Sequence, residues 1–249
     1  MIILKNNEEI EVLRGVNSIV ADFFERVEEI IKPGISTYNL EEFSEKFTRE
    51  RKVKAAFKGY MGYPANLCVS VNEEVVHGIP RKDKFLKEGD IVSIDFGLNK
   101  DGFFGDAAMT YPVGKVSGKA RKLLDVTERS LYEGILETKS GNRLYDISHT
   151  IQAYVEQNGF SVVRDFVGHG IGRNLHEEPQ VPNFGNRGTG IKLVPGLVLA
   201  LEPMVNEGGH EVEVLGDGWT VVTRDRKFSA HFEHSVAITE NGPLILSKI

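Results

Sequence analysis

The chain has 249 residues, of which 41% are hydrophobic and 27% are charged, a composition typical of a globular protein with a buried core. Its net charge of −6, with both signs mixed along the chain and no cluster of lysine or arginine, argues against nucleic acid as a partner. The single cysteine, Cys68, excludes an internal disulfide and a thiolate-rich metal site.

The N-terminal segment MIILKNNEEIEVLRG has no apolar run of the length that a signal peptide requires. No later segment reaches the roughly 20 apolar residues that are needed to span a bilayer. We therefore expect a cytoplasmic protein with no membrane partner.

Two helices are predicted first. Asn6 and Asn7 can cap a helix with apolar residues at helical spacing from Ile10 to Ile30, which Pro33 and Gly34 would stop. A shorter helix is predicted from Ser36 or Thr37. The segments NLCVSVNEEVV, DIVSIDFGLN and DAAMTYPVG then favour strands. A second helical pair begins after Ser117 and is expected to end near Gly159, and strand-like sequence follows.

The order of two helices and then strands occurs twice, and the residues repeat with it. KPGISTYNL at 32–40 matches KSGNRLYDI at 139–147, and LKEGDIVSID at 86–95 matches LVPGLVLALE at 193–202, each at an offset of 107 residues. We predict an α+β fold in one catalytic domain, residues 1–249, with similar halves at about 5–113 and 114–249. Such halves commonly enclose a site between them.

Two carboxylates occupy equivalent places in this repeat. Asp95 follows the apolar strand of DIVSIDFG, and Glu202 ends the apolar run LVLALE. A buried carboxylate without a partner costs several kcal/mol, so an ion pair with lysine or arginine is one explanation of each. Recurrence in both halves favours a shared site instead.

Further acids and one imidazole lie in the same strand-rich regions, namely Asp106, His169 and Glu233. Singly, Asp106 is also compatible with a turn and Glu233 with a solvated strand position. Together, four carboxylates and one imidazole are suited to two divalent first-row ions held by bridging carboxylates. Co, Mn, Fe and Zn all fit such ligands.

Two more histidines, His77 in VVHGIP and His176 in HGIGRNLHEEP, are predicted in loops. A loop histidine is most often an ordinary surface residue. Near a metal-activated water, either could instead donate a hydrogen bond or carry a proton.

Several separated motifs together resemble one family. VVHGIP, EGDIVSIDFG, GDAAMTYPVG, HGIGRNLHEEP, PGLVLALEPM and FEHSVAIT occur in the order and approximate spacing of type I methionine aminopeptidases, members of the pita-bread metallohydrolase superfamily. The resemblance runs from about residue 5 to the end. It implies a central curved antiparallel sheet backed by two helix pairs, and removal of the initiator methionine from peptides with a small second residue.

The resemblance also implies roles for single residues. Asp106 and Glu233 would bridge two metal ions, Asp95 would complete one, and His169 with Glu202 would complete the other. Glu202 would also act as general base. The catalytic histidines would be His77 and His176.

A methionine pocket is implied at Tyr60, Tyr63, Cys68 and Trp219, although Cys68 is also compatible with a small core residue. Phe57 and Leu175 stand at lining positions that vary among relatives. His231, two residues before Glu233, stands where a glutamine is common, which is compatible with contact to a metal ligand or with direct binding of a metal ion.

Two alternative functions remain open at this point. One is a proline-directed aminopeptidase of the same superfamily, and the other is a pita-bread module that binds peptides without catalysis. As partners we expect peptide or nascent-protein N-termini, with the ribosome left open as a further one. We expect a monomer.

Overall fold

The computed structural model describes residues 2–248 and contains four helices and fifteen strands in that range. The helices are α1 (Asn7–Glu28), α2 (Thr37–Arg51), α3 (Gly118–Leu136) and α4 (Leu144–Gln157). The first strands are β1 (Lys54–Ala55), β2 (Leu67–Val71), β3 (Glu74–Val76), β4 (Ile91–Lys100), β5 (Phe103–Pro112), β6 (Ser161–Val162), β7 (Gly168–Gly170) and β8 (Glu177–Val181). The others are β9 (Val198–Leu201), β10 (Met204–Asn206), β11 (Val212–Val214), β12 (Val221–Thr223), β13 (Ser229–His231), β14 (Glu233–Thr239) and β15 (Gly242–Ile245).

The first three helices begin where the sequence predicts. The side chains of Asn6, Ser36 and Ser117 each accept a hydrogen bond from a backbone N–H of the first turn of α1, α2 and α3. The predicted end of α1 is wrong, because the helix stops at Glu28 and Ile30 lies outside it. After Glu28, backbone N–H groups donate to the carbonyl three residues back, as Ile30 does to Val27. These bonds end the helix before the proline.

One antiparallel sheet of nine strands forms the centre of the molecule, with the order β1-β4-β5-β14-β9-β7-β8, to which β2 adds beside β4 and β15 beside β14. Strands β5 and β14 pair over two residues, with Glu233 opposite Ala108 and His234 opposite Ala107. This pairing joins the strands of the N-terminal half to those of the C-terminal half. The curled sheet with two helix pairs confirms the predicted α+β pita-bread fold.

Each helix pair covers its own apolar cluster. The first cluster lies under α1 and α2, where the Phe23 ring packs on Phe96 with centroids 4.0 Å apart. The second lies under α3 and α4, and includes Ile147, Leu199 and Val236. The two clusters place the helices outside and leave the other face of the sheet for a site.

Backbone contacts repeat with the offset seen in the sequence. The Gly34 N–H donates to the Leu86 carbonyl at 2.8 Å, and the Gly141 N–H donates to the Leu193 carbonyl at 3.0 Å. The isolated bridges Ser36↔Phe85 and Arg143↔Lys192 are related in the same way. These contacts support the two predicted halves, whose boundary at residues 113 and 114 stays a prediction.

A buried ion pair ties the N-terminal segment to the C-terminal half. Lys5 Nζ lies 2.5 Å from Glu177 Oε2, with side chains 3% and 2% exposed. Lys5 also donates to the Ile3 carbonyl, and Glu177 Oε1 accepts from the Asn174 N–H. Glu177 follows His176 directly, so the pair restrains the loop that carries this histidine.

Loss of Lys5 is therefore expected to be costly. Lys5→Met should lower the free energy of unfolding by about 3–5 kcal/mol, because it leaves the Glu177 carboxylate buried without a cation. The double variant Lys5→Met/Glu177→Gln should recover part of this loss. Urea unfolding measures both, with Arg14→Met as control, since the Arg14–Glu11 pair is exposed. Equal effects of Lys5→Met and Arg14→Met would contradict the expectation.

Candidate metal centre and active site

A cavity of about 220 Å³ opens on the face of the sheet away from the helices. Every residue that the sequence predicts for the site lines it: Tyr60, Tyr63, Cys68, His77, Asp95, Asp106, His169, His176, Glu202, Trp219 and Glu233. Phe57, Leu175 and His231 line it as well. The fold thus brings all predicted positions together, whereas their individual roles stay predictions.

Sheet register places three carboxylates side by side. Asp95 on β4 and Glu233 on β14 both lie opposite Ala108 of β5, and Asp106 lies opposite Gly97. A Cβ at Gly97 would come within 3.0 Å of Asp106 Oδ1 and 2.9 Å of the Phe57 ring, so a larger residue there would crowd the site. Small neighbours are what allow the acids to cluster.

The second half supplies the remaining donors. His169 on β7 lies opposite Ala200 of β9, and Glu202 follows the end of β9. One ligand atom each of Asp106, His169 and Glu233 lie within 4.8 Å of one another, and His169 Nε2 is 3.6 Å from Glu202 Oε1. The His169 Nδ1 atom lies 2.9 Å from the Gly170 carbonyl, which can only accept. Nδ1 therefore carries the proton, and Nε2 faces the acids with a free lone pair.

The surroundings of the four acids oppose their ionisation unless positive charge is bound nearby. Burial raises the pKa of Asp95 to about 7, and burial together with neighbouring carboxylates raises the pKa values of Asp106, Glu202 and Glu233 well above their ordinary values. Asp95 Oδ1, Asp106 Oδ1 and Glu233 Oε1 have no hydrogen-bond partner within residues 2–248.

Among the described residues that line the cavity there is no lysine or arginine. The alternative that Asp95 and Glu202 are paired with protein cations is therefore wrong. Carboxylate oxygens without partners, next to an unprotonated imidazole nitrogen, fit divalent first-row metal ions.

The two loop histidines line the cavity together with this cluster. His77 follows β3 with a left-handed backbone (φ 60°), and its ring contacts the edge or face of Phe166 and Trp219 at centroid distances of 5.6 and 6.3 Å. Burial lowers its pKa to about 4. His176 precedes β8, and its Nδ1 lies 2.8 Å from Tyr60 Oη. Burial lowers the pKa of His176 as well, so both rings are neutral near pH 7.

An apolar pocket adjoins the acids. Tyr63 and Trp219 meet edge to face at 5.1 Å, and the Tyr63 hydroxyl contacts the carbonyls of Leu67 and Gly78 at 2.9 and 3.0 Å. Cys68 pairs with Asp95 in the β2–β4 register, and it both lines the cavity and packs in the first apolar cluster. Its two predicted environments are thus compatible.

The cavity is also lined by five residues that were not predicted from the sequence, namely Met61, Val76, Phe166, Val167 and Met204. Phe166 and Met204 lie within three residues of His169 and Glu202, so proximity to the motifs was the available signal. Met61 is 82% exposed at the mouth and has a left-handed backbone (φ 49°), for which the flanking glycines gave only an indirect sign.

Comparison with known proteins agrees with this arrangement. The model of metallopeptidase family M24 matches residues 11–240. The chain belongs to this family.

Two relatives match the M24 chain over its full length. The methionine aminopeptidase of Clostridium perfringens is 53% identical, with 100% of both chains covered. The crystal structure of the methionine aminopeptidase of Thermotoga maritima has a TM-score of 0.98 and 50% identity, again with 100% of both chains covered. The Xaa-Pro dipeptidase of Bacillus anthracis has a TM-score of 0.77 at 22% identity, and this chain covers 62% of it, so that likeness concerns the fold alone.

Membership of the M24 metallopeptidases implies divalent metal ions. The unpartnered oxygens and the lone pair of His169 Nε2 provide suitable donors for them. Within residues 2–248, no helix is long and apolar enough to cross a membrane.

The raised acid pKa values predict how stability depends on pH after chelation of metal. Asp95 titrates near 7 in the folded state against an ordinary value of 3.8, so its contribution to stability is full at low pH and is lost as pH rises through 7. Between pH 6.5 and 8.0 this loss amounts to about 0.8 kcal/mol, so the free energy of unfolding of the EDTA-treated parent should fall by about that amount relative to EDTA-treated Asp95→Asn. The buried histidines have lowered pKa values and contribute stability that grows as pH rises through the ordinary histidine value, and the comparison with Asp95→Asn cancels this opposite contribution.

Urea unfolding at the two pH values measures this change. Asp95→Asn, which cannot ionise, lacks the contribution of Asp95 and keeps that of the histidines, and added Mn²⁺ should restore stability to the parent at pH 8.0. A difference in stability between parent and Asp95→Asn that stays level or rises over the interval would contradict the electrostatic description of Asp95.

Proposed function

We propose that this M24 metallopeptidase is an aminopeptidase that removes the initiator methionine from nascent proteins and from peptides with a small second residue. The observation that carries the proposal is the juxtaposition of an acid cluster, with no lysine or arginine among the residues of 2–248 that line it, and a small pocket lined by a thiol and aromatic rings. The names of the two full-length relatives support the same activity.

Two divalent ions would be held by Asp95, Asp106, His169, Glu202 and Glu233, with Co, Mn, Fe and Zn all compatible with oxygen and imidazole donors. Ions bound there would polarise the carbonyl group of the first residue and lower the pKa of the attacking water.

Glu202 is the best placed general base. Its carboxylate is buried beside the other acids, which raises its pKa and makes it a stronger proton acceptor than an exposed glutamate. It would take the proton of the attacking water and pass it to the departing amine.

His176 would stabilise the negative charge that develops on the carbonyl oxygen. If the Tyr60 hydroxyl donates to Nδ1, the proton of the neutral ring lies on Nε2, which is then free to donate to that oxygen. His77, between Phe166 and Trp219, would contact the region of the scissile amide nitrogen.

Selection for the N-terminus and for methionine would come from opposite ends of the cavity. A free α-amine would bind on the side of Asp95, where the site has an excess of acid. The unbranched thioether would enter between Tyr63, Cys68 and Trp219, since aromatic and sulfur surfaces suit methionine. Tyr60, 39% exposed, lies at the mouth.

The setting of the reaction is also part of the proposal. We propose a cytoplasmic monomer whose substrates are the N-termini of peptides and nascent proteins, with the ribosome as a further partner to be tested by co-sedimentation.

Replacement of the proposed base should abolish turnover while the chain still folds. Glu202→Gln should lower kcat at least about 10²-fold, because it removes both a proton acceptor and a negative ligand. Steady-state kinetics, elemental analysis and circular dichroism measure activity, bound metal and folding. Glu240→Gln, at an exposed position, serves as the control. Near-normal turnover of Glu202→Gln with full metal content would refute the assignment.

The substrate assignment can be tested with four peptides. Methionine should be released from Met-Ala-Ser, whereas Leu-Ala-Ser, Ala-Pro-Ala and formyl-Met-Ala-Ser should be poor substrates. The preference over leucine is expected to be about 1–3 kcal/mol in kcat/KM, as for other apolar pockets. Formylation removes the amine that we place beside Asp95.

Each alternative predicts a distinct result in this assay. Fastest cleavage of Ala-Pro-Ala would indicate a proline-directed enzyme, and efficient cleavage of the formylated peptide would disprove the proposed binding of the amine. Peptide binding without bound metal or cleavage would indicate the non-catalytic module.

A further inference from the structure

One buried imidazole in the cavity has no part in the reaction described above. His231, the last residue of β13, is 2% exposed and lines the cavity two residues before Glu233. Its Nε2 atom has no hydrogen-bond partner in the part of the chain that the structure describes. A buried polar nitrogen without a hydrogen-bond partner lowers the stability of the fold, so its presence in a folded protein calls for an explanation.

The backbone of His231 is held from both sides. Thr110 Oγ1 accepts from the His231 N–H at 2.9 Å and donates to the His231 carbonyl at 2.7 Å. Because the threonine has one proton, the 2.8 Å contact between Ser93 Oγ and Thr110 Oγ1 must use the serine proton. Pairing with Met204 of β10 adds a further restraint. The ring is therefore kept in the cavity wall.

The ring faces Glu202. His231 Nε2 lies 3.7 Å from Glu202 Oε2, and His169 Nε2 lies 3.6 Å from Glu202 Oε1, so each carboxylate oxygen faces one imidazole. The two imidazoles differ in their second nitrogen, because the proton of His169 is held on Nδ1 by the Gly170 carbonyl. Among residues 2–248 no carbonyl holds the proton of His231 on Nδ1 in this way, which leaves Nε2–H free to form opposite Glu202, whose carboxylate can only accept once it is ionised.

We propose that His231 is a positioning residue for Glu202, with its Nε2–H donating to Glu202 Oε2. A separation of 3.7 Å exceeds hydrogen-bond length by about 0.7 Å, which a small rotation of the glutamate side chain can close. The bond would fix the carboxylate with Oε1 directed to the side of His169, where the metal donors converge. The inference rests on the proposed function insofar as Glu202 is a metal ligand and base there.

If His231 positions Glu202, the effect of a substitution at position 231 should depend on whether the new side chain can donate a hydrogen bond. Partners that hydrogen-bond a metal-binding carboxylate typically contribute 10–100-fold to metal affinity or activity. His231→Leu, which has no donor, should weaken Mn²⁺ binding to the EDTA-treated protein and lower kcat on Met-Ala-Ser, each by about 10–100-fold. KM should change less than about threefold. His231→Gln, which keeps an N–H donor, should restore both quantities to within about fivefold of the parent.

Three measurements distinguish positioning from the other possibilities. Calorimetric titration with Mn²⁺ gives affinity and stoichiometry without reference to turnover, and the visible spectrum of the Co²⁺-loaded protein reports on coordination. His234→Gln is the matched control, because His234 is equally buried but bonds to Ser247 and Tyr132 on the opposite face. It should leave Mn²⁺ affinity and the Co²⁺ spectrum unchanged. His231→Met replaces His231→Leu should the latter not fold.

A changed Co²⁺ spectrum and reduced metal stoichiometry in both His231→Gln and His231→Leu would make His231 a metal ligand and overturn the proposal. Unchanged affinity and kcat in His231→Leu would overturn it as well, and so would an equal loss in His234→Gln. Failure of the parent to cleave methionine peptides would count against the proposed function. In that case the difference in Mn²⁺ affinity between His231→Gln and His231→Leu would still decide the inference.

Discussion

The clustering of four largely buried carboxyl groups is the constraint around which the molecule is organised. Burial opposes the ionisation of Asp95, Asp106, Glu202 and Glu233, like charge adds to this for the last three, and the described lining offers no lysine or arginine. Only a stiff scaffold can hold such a cluster. The sheet provides it, because the acids lie on or directly after neighbouring strands whose ladders fix their separations, and Gly97, opposite Asp106, leaves the room they need.

The two halves divide this task. Each contributes a helix pair over its own apolar cluster, and each delivers one of the equivalent acids. Glu202 directly follows β9 as predicted, whereas Asp95 lies inside β4 and not at its end, because the strand continues to Lys100. The repulsion at the seam is offset by these clusters, which bury large side chains such as Phe23 and Ile147 on either side. The apolar contacts that stabilise the fold and the acids that oppose it thus lie on opposite faces of the same sheet.

The parts of this arrangement that depend on local chemistry could be predicted from the sequence. The caps of three helices, the repeat at 107 residues and the two equivalent acids all followed from residue patterns. The choice between an ion pair and a metal centre required three-dimensional information, because it depended on the absence of cations from the described cavity lining. Rim residues such as Met61 and Phe166 belong to no periodic pattern, so their presence at the site could be seen only in the fold.

The cavity contains four imidazoles, those of His77, His169, His176 and His231, and their charge and proton positions bear on what the site can bind. Burial lowers the pKa of each, so none contributes positive charge near pH 7, and each neutral ring has one proton to donate. The hydrogen-bond partner therefore decides the function of each ring: a carbonyl makes His169 a lone-pair donor, whereas the tyrosine hydroxyl beside His176 can leave its Nε2–H free. Since neither lysine, arginine nor imidazolium balances the acids in the described lining, bound protons balance them in the absence of metal, and under the function proposed above metal ions and the substrate would do so. A free α-amine carries such a charge, and an internal or formylated peptide does not.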